Sequence, residues 1–501
     1  MEYFGIAAGM VFTPASLLAI LAGTFIGLVV GALPGLGSVV AITLVLPFSF
    51  SMETAPAICL ILSVYCCSVF GGSYSAILLN TPGTPQSAAT VLDGYAMAKR
   101  GEADLALGWA TGASAIGGIF STFVLLLFAP QLARVALSFG PIENFALTCF
   151  ALTCIAGVAG ANFILGIISG LIGLFLATVG VDPLSGETRM TFGYFGLSSG
   201  IELIPVLIGI FAIAEVFDRA TAISKPSDEP GPRIKAGFRL APLAEWTARW
   251  GTLLKSSVIG SFVGVLPGTG ASTASFISYA VAKRTGRFRK DVGTGEAEGI
   301  VASETANNAV TGGALVPTLA LGIPGDPVTA VMMSALVIHG IQPGTRLFVE
   351  SPELIYASFV ALLVINVVMF VAAAPFAHVF SRILHLPDAI IAALVLILSV
   401  LGAYGVRGNM FDLYVMLAAG VVGYMMRLAA IPAAPIVIGM VLGPFVEESL
   451  RQGLILTDGN IAAFFGRPIA AALMSVTILI VLSTAIMSVV NLASRLRTAG
   501  K

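Results

Sequence analysis

Four Pro-Gly dipeptides interrupt long apolar runs of this chain, and they fall in two matched pairs. GALPGLGS at 31–38 recurs as GVLPGTGA at 264–271. Downstream, Gly71-Gly72 leads to TPGTP at 81–85, and Gly312-Gly313 leads to IPGDP at 323–327. Four elements in the same order identify an internal duplication. Proline removes an intrahelical N–H and glycine permits φ > 0, so a helix breaks at each signature. At membrane depth a break survives only where it is buried in protein or lines an aqueous cavity. It creates half-helix N-termini that suit anions and free carbonyls that suit cations. Any one signature taken alone reads equally as a kink that lets helices pack closely. Matched breaks in two halves instead mark the binding site of a secondary transporter.

The surrounding composition fixes the solvent. Of 501 residues, 57% are hydrophobic and 10% charged, and mean hydropathy is +0.99; a soluble domain carries about 25% charged residues. A helix needs about 20 apolar residues to cross the bilayer core, and the runs supply roughly ten to fourteen crossings. They are too long and continuous for a transmembrane β-barrel. The expected fold is an all-α polytopic membrane protein with two inverted repeats and broken re-entrant hairpins. A net charge of −1 leaves no basic field for nucleic acid. No Lys or Arg precedes Lys99, so the basic start of a cleaved signal peptide is missing and the first span is expected to be retained. The five cysteines all lie in apolar runs and read as buried small hydrophobes.

Charge orients the chain. Basic residues cluster at 218–255, at 283–290 and in the tail (Arg495, Arg497, Lys501). The positive-inside rule puts all three in the cytoplasm and the N-terminus outside. The apolar stretch between the first two clusters must then enter and return, which a broken hairpin does and a straight span does not. The expected organisation is a first repeat over 15–215, a basic cytoplasmic linker over 216–255, a second repeat over 256–445, and a C-terminal helix and tail over 446–501.

Polar residues within apolar spans are costly and mark function by default. At the first hairpin tip these are Ser38 and Thr43 around Pro34, Gly35 and Gly37. At the next break Asn80, Thr81 and Thr84 flank Pro82 and Gly83. In the second half Thr269, Ser272 and Thr273 follow Pro267 and Gly268, with Gly270 beside them. Asp326 follows Pro324 and Gly325. Hydroxyls, amides and freed N–H groups bind carboxylate oxygens without a fixed positive charge, and no Lys or Arg falls within 15–48 or 256–282. Co-bound cations would supply that charge, with Glu304, Asn307, Asn308 and Asp326 as ion-coupling candidates and a sodium ion near the last three. Each also has an ordinary reading. Ser and Thr bond back to the i−4 carbonyl, Asn80 and Asp326 cap helices, and Glu304 is a surface charge near the basic loop. Glu53, Glu143, Asp182, Glu187 and Glu447 read as solvated charges at segment ends. His339, His378 and His385 are too scattered for a metal site.

These motifs, together with GGSYSAILLNTPGTPQSAATVLDGY (71–95) and EAEGIVASETANNAVTGGALVPTLALGIPGDPVTAVMMSAL (296–336), resemble the large membrane subunit of tripartite tricarboxylate transporters, the TctA family. The resemblance spans most of residues 15–445. It implies a permease in the bacterial inner membrane, working as an elevator and driven by an ion gradient. It also implies a small TctB-like membrane partner, a TctC-like periplasmic solute-binding protein, and citrate-like carboxylate substrates. No phosphate-cradling loop, zinc-protease motif or paired membrane aspartates favour a pump or an enzyme. A passive anion channel is the remaining alternative.

Overall fold

The computed structural model describes residues 2–158, 163–182, 185–223, 237–383 and 387–499. Much of the expected linker (224–236), His385 and Lys501 lie outside the described residues. Among the described residues the chain is almost wholly helical, with a single two-residue ladder pairing Gly180–Val181 with Thr188–Arg189. Among the described residues, six helices are long and apolar enough to cross a bilayer, from Pro14–Ala32 to Met410–Leu428. This is an all-α polytopic membrane protein. It divides into two compact units, one of Met1–Arg134 and Ile204–Met425, the other of Val135–Leu203 and Met426–Lys501.

At the centre of the larger unit lie two inner helices, Thr54–Leu79 and Ala297–Leu321, buried along nearly their whole length. Neither shows an apolar stripe, as expected of helices enclosed on all sides. A broken hairpin precedes each: Pro14–Ala32 with Gly37–Ser49, and Trp250–Val265 with Gly270–Thr285. The two breaks share one conformation. Leu33 (φ −83°, ψ 114°) donates its N–H to Val30, and Leu266 (φ −79°, ψ 115°) donates to Val263. Gly35 and Gly37 then take φ of +93° and +71°, and Gly268 and Gly270 take +82° and +67°. The inner helices also end alike, on left-handed Asn80 (φ 60°) and Gly322 (φ 69°). At 1.5 Å per residue, the 16-residue arms of the second hairpin reach about 24 Å, short of the roughly 30 Å core.

Glycine brings each first arm against its inner helix, backbone to backbone. A Cβ on Gly27 would lie 2.9 Å from the Val64 carbonyl oxygen, on Gly31 2.2 Å from that of Ser68, and on Gly71 2.8 Å from that of Leu28. In the second half the corresponding contacts are Gly260 on Ala306 (2.3 Å), Gly264 on Val310 (2.8 Å) and Gly313 on Ser261 (2.5 Å). The halves also exchange elements. Pro327–Ile338 packs on Gly37–Ser49 and Thr54–Leu79, while the short 3-10 turn Pro85–Ser87 packs on Gly270–Thr285 and Ala297–Leu321.

Several boundaries differ from hydropathy. The second inner helix starts at Ala297, well before the apolar run at 311, because its polar first turns are buried and bonded. Glu298, for example, accepts from Thr252 Oγ1 and from the N–H of Arg287 at 3.1 Å. The run at 199–217 is interrupted by a π-helical turn, Ile208–Ile213.

In the smaller unit, Phe163–Ala177 and Ala434–Leu456 also meet through glycine: a Cβ on Gly173 would lie 2.0 Å from the Ile436 oxygen, and one on Gly439 2.2 Å from that of Gly170. Glu143 and Asp182, read as solvated charges, are instead buried and ion-paired, to Arg467 (3.5 Å) and Arg451 (2.9 Å). Sequence position near a span end does not reveal a partner distant in the chain. Cys59, Cys66 and Cys67 are buried free thiols.

Valine at Gly31 or Gly313 forces backbone atoms apart and is expected to cost about 3 kcal/mol or more. Both variants should lose the monodisperse species in size-exclusion chromatography and melt earlier. Gly405→Val, where a Cβ meets nothing within 4 Å, should behave as wild type.

Candidate functional site

In the second half the two breaks are joined directly. The N–H of Gly268 at the hairpin tip donates to the Gly325 carbonyl at 2.7 Å. Gly325 is required there, since a Cβ would lie 2.6 Å from Ala314 Cα. The adjoining Asp326 is buried and caps Pro327–Ile338 in a capping box with Thr329. One carboxylate oxygen accepts the Thr329 N–H at 2.7 Å, and the other accepts the phenol of Tyr65 at 2.7 Å. Neutral donors and a helix N-terminus thus hold a buried acid, and the capping role expected of Asp326 is present.

The first half is built alike but finished differently. Gly37 lies beside Pro85, and the Gly83 N–H donates to Gly72 at 3.3 Å. A Cβ on Gly83 would fall 2.3 Å from the Gly31 oxygen. Arg219 holds this hairpin tip. Its guanidinium donates to the Pro34 carbonyl at 2.5 Å and pairs with Glu215 at 2.9 Å. Asn80 and Thr81 are exposed, whereas Gly83 and Thr84 are buried.

Buried polar atoms without hydrogen-bond partners gather around these elements. They include Ser38 Oγ, Thr84 Oγ1, Thr305 Oγ1, both amide atoms of Asn307, and Asn308 Oδ1. Buried polar groups in folded proteins are nearly always paired, and leaving one unpaired costs about 1–3 kcal/mol. Unpaired groups of this kind mark these elements as the candidate site. Glu304 is fully buried, not a surface charge; Thr90 and Ser114 donate to its carboxylate, the latter at 3.0 Å.

Other candidates serve the fold. Thr43 bonds back to Val39 at 2.7 Å, and Thr269 to Leu266 at 2.9 Å. Ser272 and Thr273 are half-buried on the arm after Gly270. Among the described residues no cluster of His, Cys, Asp or Glu is suited to a metal ion.

Three residues at these sites escaped sequence reading. Tyr65 is an aromatic in an apolar span, with nothing to set it apart. Arg219 was visible only as an acidic–basic i,i+4 pair closing an apolar run, and was counted with the basic linker. Asp93 lies inside the VLDGY motif. It is buried and accepts N–H groups from Gly293 (2.9 Å), Gly295 (2.7 Å) and Glu296 (2.9 Å) together with the Tyr279 phenol (2.8 Å).

The family model described as the tripartite tricarboxylate transporter TctA family matches residues 17–438, from the first hairpin through both inner helices. The chain belongs to the TctA family. It is 33% identical over 465 residues to an Agrobacterium vitis protein named as the 52.8 kDa protein in the TAR-I ttuC' 3' region, covering 93% of this chain and 92% of that one. A second Agrobacterium vitis protein, from the TAR-II ttuC' 3' region, is 33% identical over 223 residues, 44% of this chain and 92% of its own. No solved structure matches at a significant level. Membership of this TctA family makes the chain a multi-pass membrane subunit of a transporter, and the four breaks lie within the matched residues.

Tyr65 and Asp326 should be energetically coupled. In a double-mutant cycle with Tyr65→Phe and Asp326→Ala, thermal unfolding should show each single change destabilising and a coupling of about 1 kcal/mol or more. Additive effects would show that the bond contributes nothing.

Proposed function

We propose that this TctA-family chain is the permeation subunit of a secondary transporter that imports a tricarboxylate-class anion across the bacterial inner membrane. The observation that carries the reading is the set of unpartnered, buried hydroxyl and amide groups beside helix breaks. Such groups are too costly to keep in an apolar interior unless something binds them. A periplasmic solute-binding protein of the TctC type delivers the anion, and a small TctB-type subunit completes the membrane complex. Specificity then resides largely in the binding protein, and the permease site recognises carboxylate chemistry.

A cation gradient supplies the energy in this reading. Asn308 Oδ1 is buried without a partner, and the Asn308 amide donates to the Glu304 carbonyl at 3.4 Å. Glu304 is a buried acid held only by hydroxyls in the contacts above, so a sodium ion or proton here would balance its charge. Of the four expected ion-coupling residues, Glu304 and Asn308 fit this role best, because Glu304 is held by hydroxyls alone, whereas Asp326 is committed to capping Pro327–Ile338.

The test is labelled citrate uptake into proteoliposomes containing this chain and the small subunit, with and without the binding protein, under a sodium or proton gradient. Accumulation should require both protein and gradient. Asn308→Ala should lower uptake at least ten-fold, and Gly268→Val, which forces a β-branched residue to φ +82°, should abolish it. Gradient-independent leakage without the binding protein would instead identify a passive channel.

A further inference from the structure

We infer that the first-half break is a carboxylate-binding subsite built from Thr84, Asn307 and Ser38, and that Asp326 is the second half's own carboxylate fixed in the equivalent place. The inference rests on the transport reading above and assigns the part of the site that touches the substrate.

The argument starts from the duplication. The correspondence that pairs Gly71 with Gly313 and Pro82-Gly83 with Pro324-Gly325 is an offset of 242 residues. The packing contacts obey it, since Val64 and Ser68 meet the first hairpin where Ala306 and Val310 meet the second. The same offset pairs Tyr65 with Asn307 and Thr84 with Asp326. In one copy, Tyr65 on the first inner helix closes on Asp326 at 2.7 Å. The related copy, Asn307 on the second inner helix and Thr84 at the first break, is open. Thr84 Oγ1 and both amide atoms of Asn307 have no partner, although the side chains are 1% and 0% exposed.

Two substitutions between the copies explain this. Replacing a tyrosine by asparagine removes the phenol that would reach the facing break. Replacing an aspartate by threonine removes the carboxylate that the ring would have met. What remains is a set of buried side-chain donors (the Thr84 hydroxyl, the Asn307 amide and the Ser38 hydroxyl) that have no partner and lack the acid that fills the other copy. Ser38 belongs to this group because Gly37 lies beside Pro85, the residue after Thr84. Gly72 makes space for it, since a Cβ there would lie 2.4 Å from Thr84 Oγ1. The Arg219–Glu215 ion pair anchors the same hairpin tip through the Pro34 carbonyl. A ligand carboxylate here takes hydrogen bonds from side-chain donors as Asp326 does from Tyr65. Asn307 therefore belongs with the substrate and not with the coupling ion.

Thr84→Asp tests this directly, because it rebuilds the second half's internal carboxylate in the first. Purified full-length chain in nanodiscs is titrated with citrate, succinate and acetate, and separately with sodium chloride, following thermal stability and equilibrium binding. At least one carboxylate should bind wild-type protein saturably. Thr84→Asp and Asn307→Leu should each weaken that binding at least ten-fold while remaining folded, and Thr84→Ser should retain it. Gly405→Val, where a Cβ meets nothing within 4 Å, should leave carboxylate affinity within about two-fold. Tighter sodium binding in folded Thr84→Asp with unchanged carboxylate affinity would overturn the proposal in favour of a cation site. So would the absence of any saturable carboxylate binding to folded wild type, and in that case gradient-driven uptake in proteoliposomes would leave the transport reading intact.

Discussion

A broken helix in a bilayer must find partners for the backbone groups it frees, because hydrocarbon offers none. In the larger unit the breaks satisfy one another or are satisfied by neighbouring side chains. Gly268 donates to Gly325, Gly83 donates to Gly72, and Arg219 donates to Pro34. This is possible only because glycines at the contacts let backbones approach to distances that any side chain would prevent. The buried inner helices, the hairpins and the candidate site all follow from that close approach.

Duplication gives the unit its architecture, and divergence between the copies gives it chemistry. The hairpin tips share their φ values to within 11°, and the glycine contacts recur at corresponding positions. The polar groups have diverged. One copy holds a closed Tyr65–Asp326 pair at a helix N-terminus, and the other holds open hydroxyls and amides. A site with identical halves would present a ligand with the same groups twice. This one holds a bonded acid in one copy and unpartnered donors in the other.

Much of this was legible in the sequence. The Pro-Gly signatures located every break, because glycine and proline act locally through allowed dihedral angles and a missing N–H. Hydropathy located the long spans, because burial in lipid requires continuous apolar length. Thr43 bonds back to its own helix as ordinary membrane hydroxyls do, and Thr269 bonds to carbonyls at the end of the preceding arm. The reading faltered where burial is supplied by distant chain. Glu304 sits in the core because Thr90 and Ser114 come to it. Glu143 and Asp182 are buried because Arg467 and Arg451 reach them from segments hundreds of residues away.

The sequence by itself determined that the chain is a polytopic helical membrane protein, where its helices break, and that its two halves are copies, since each of these follows from local composition or from internal repetition. Only the tertiary structure decided which polar residues are consumed and which are free. Tyr65 closes on Asp326, Arg219 reaches Pro34, and Asn307 is left open. Hydrogen-bond partnership depends on distances across the fold, and no local pattern of residues encodes it.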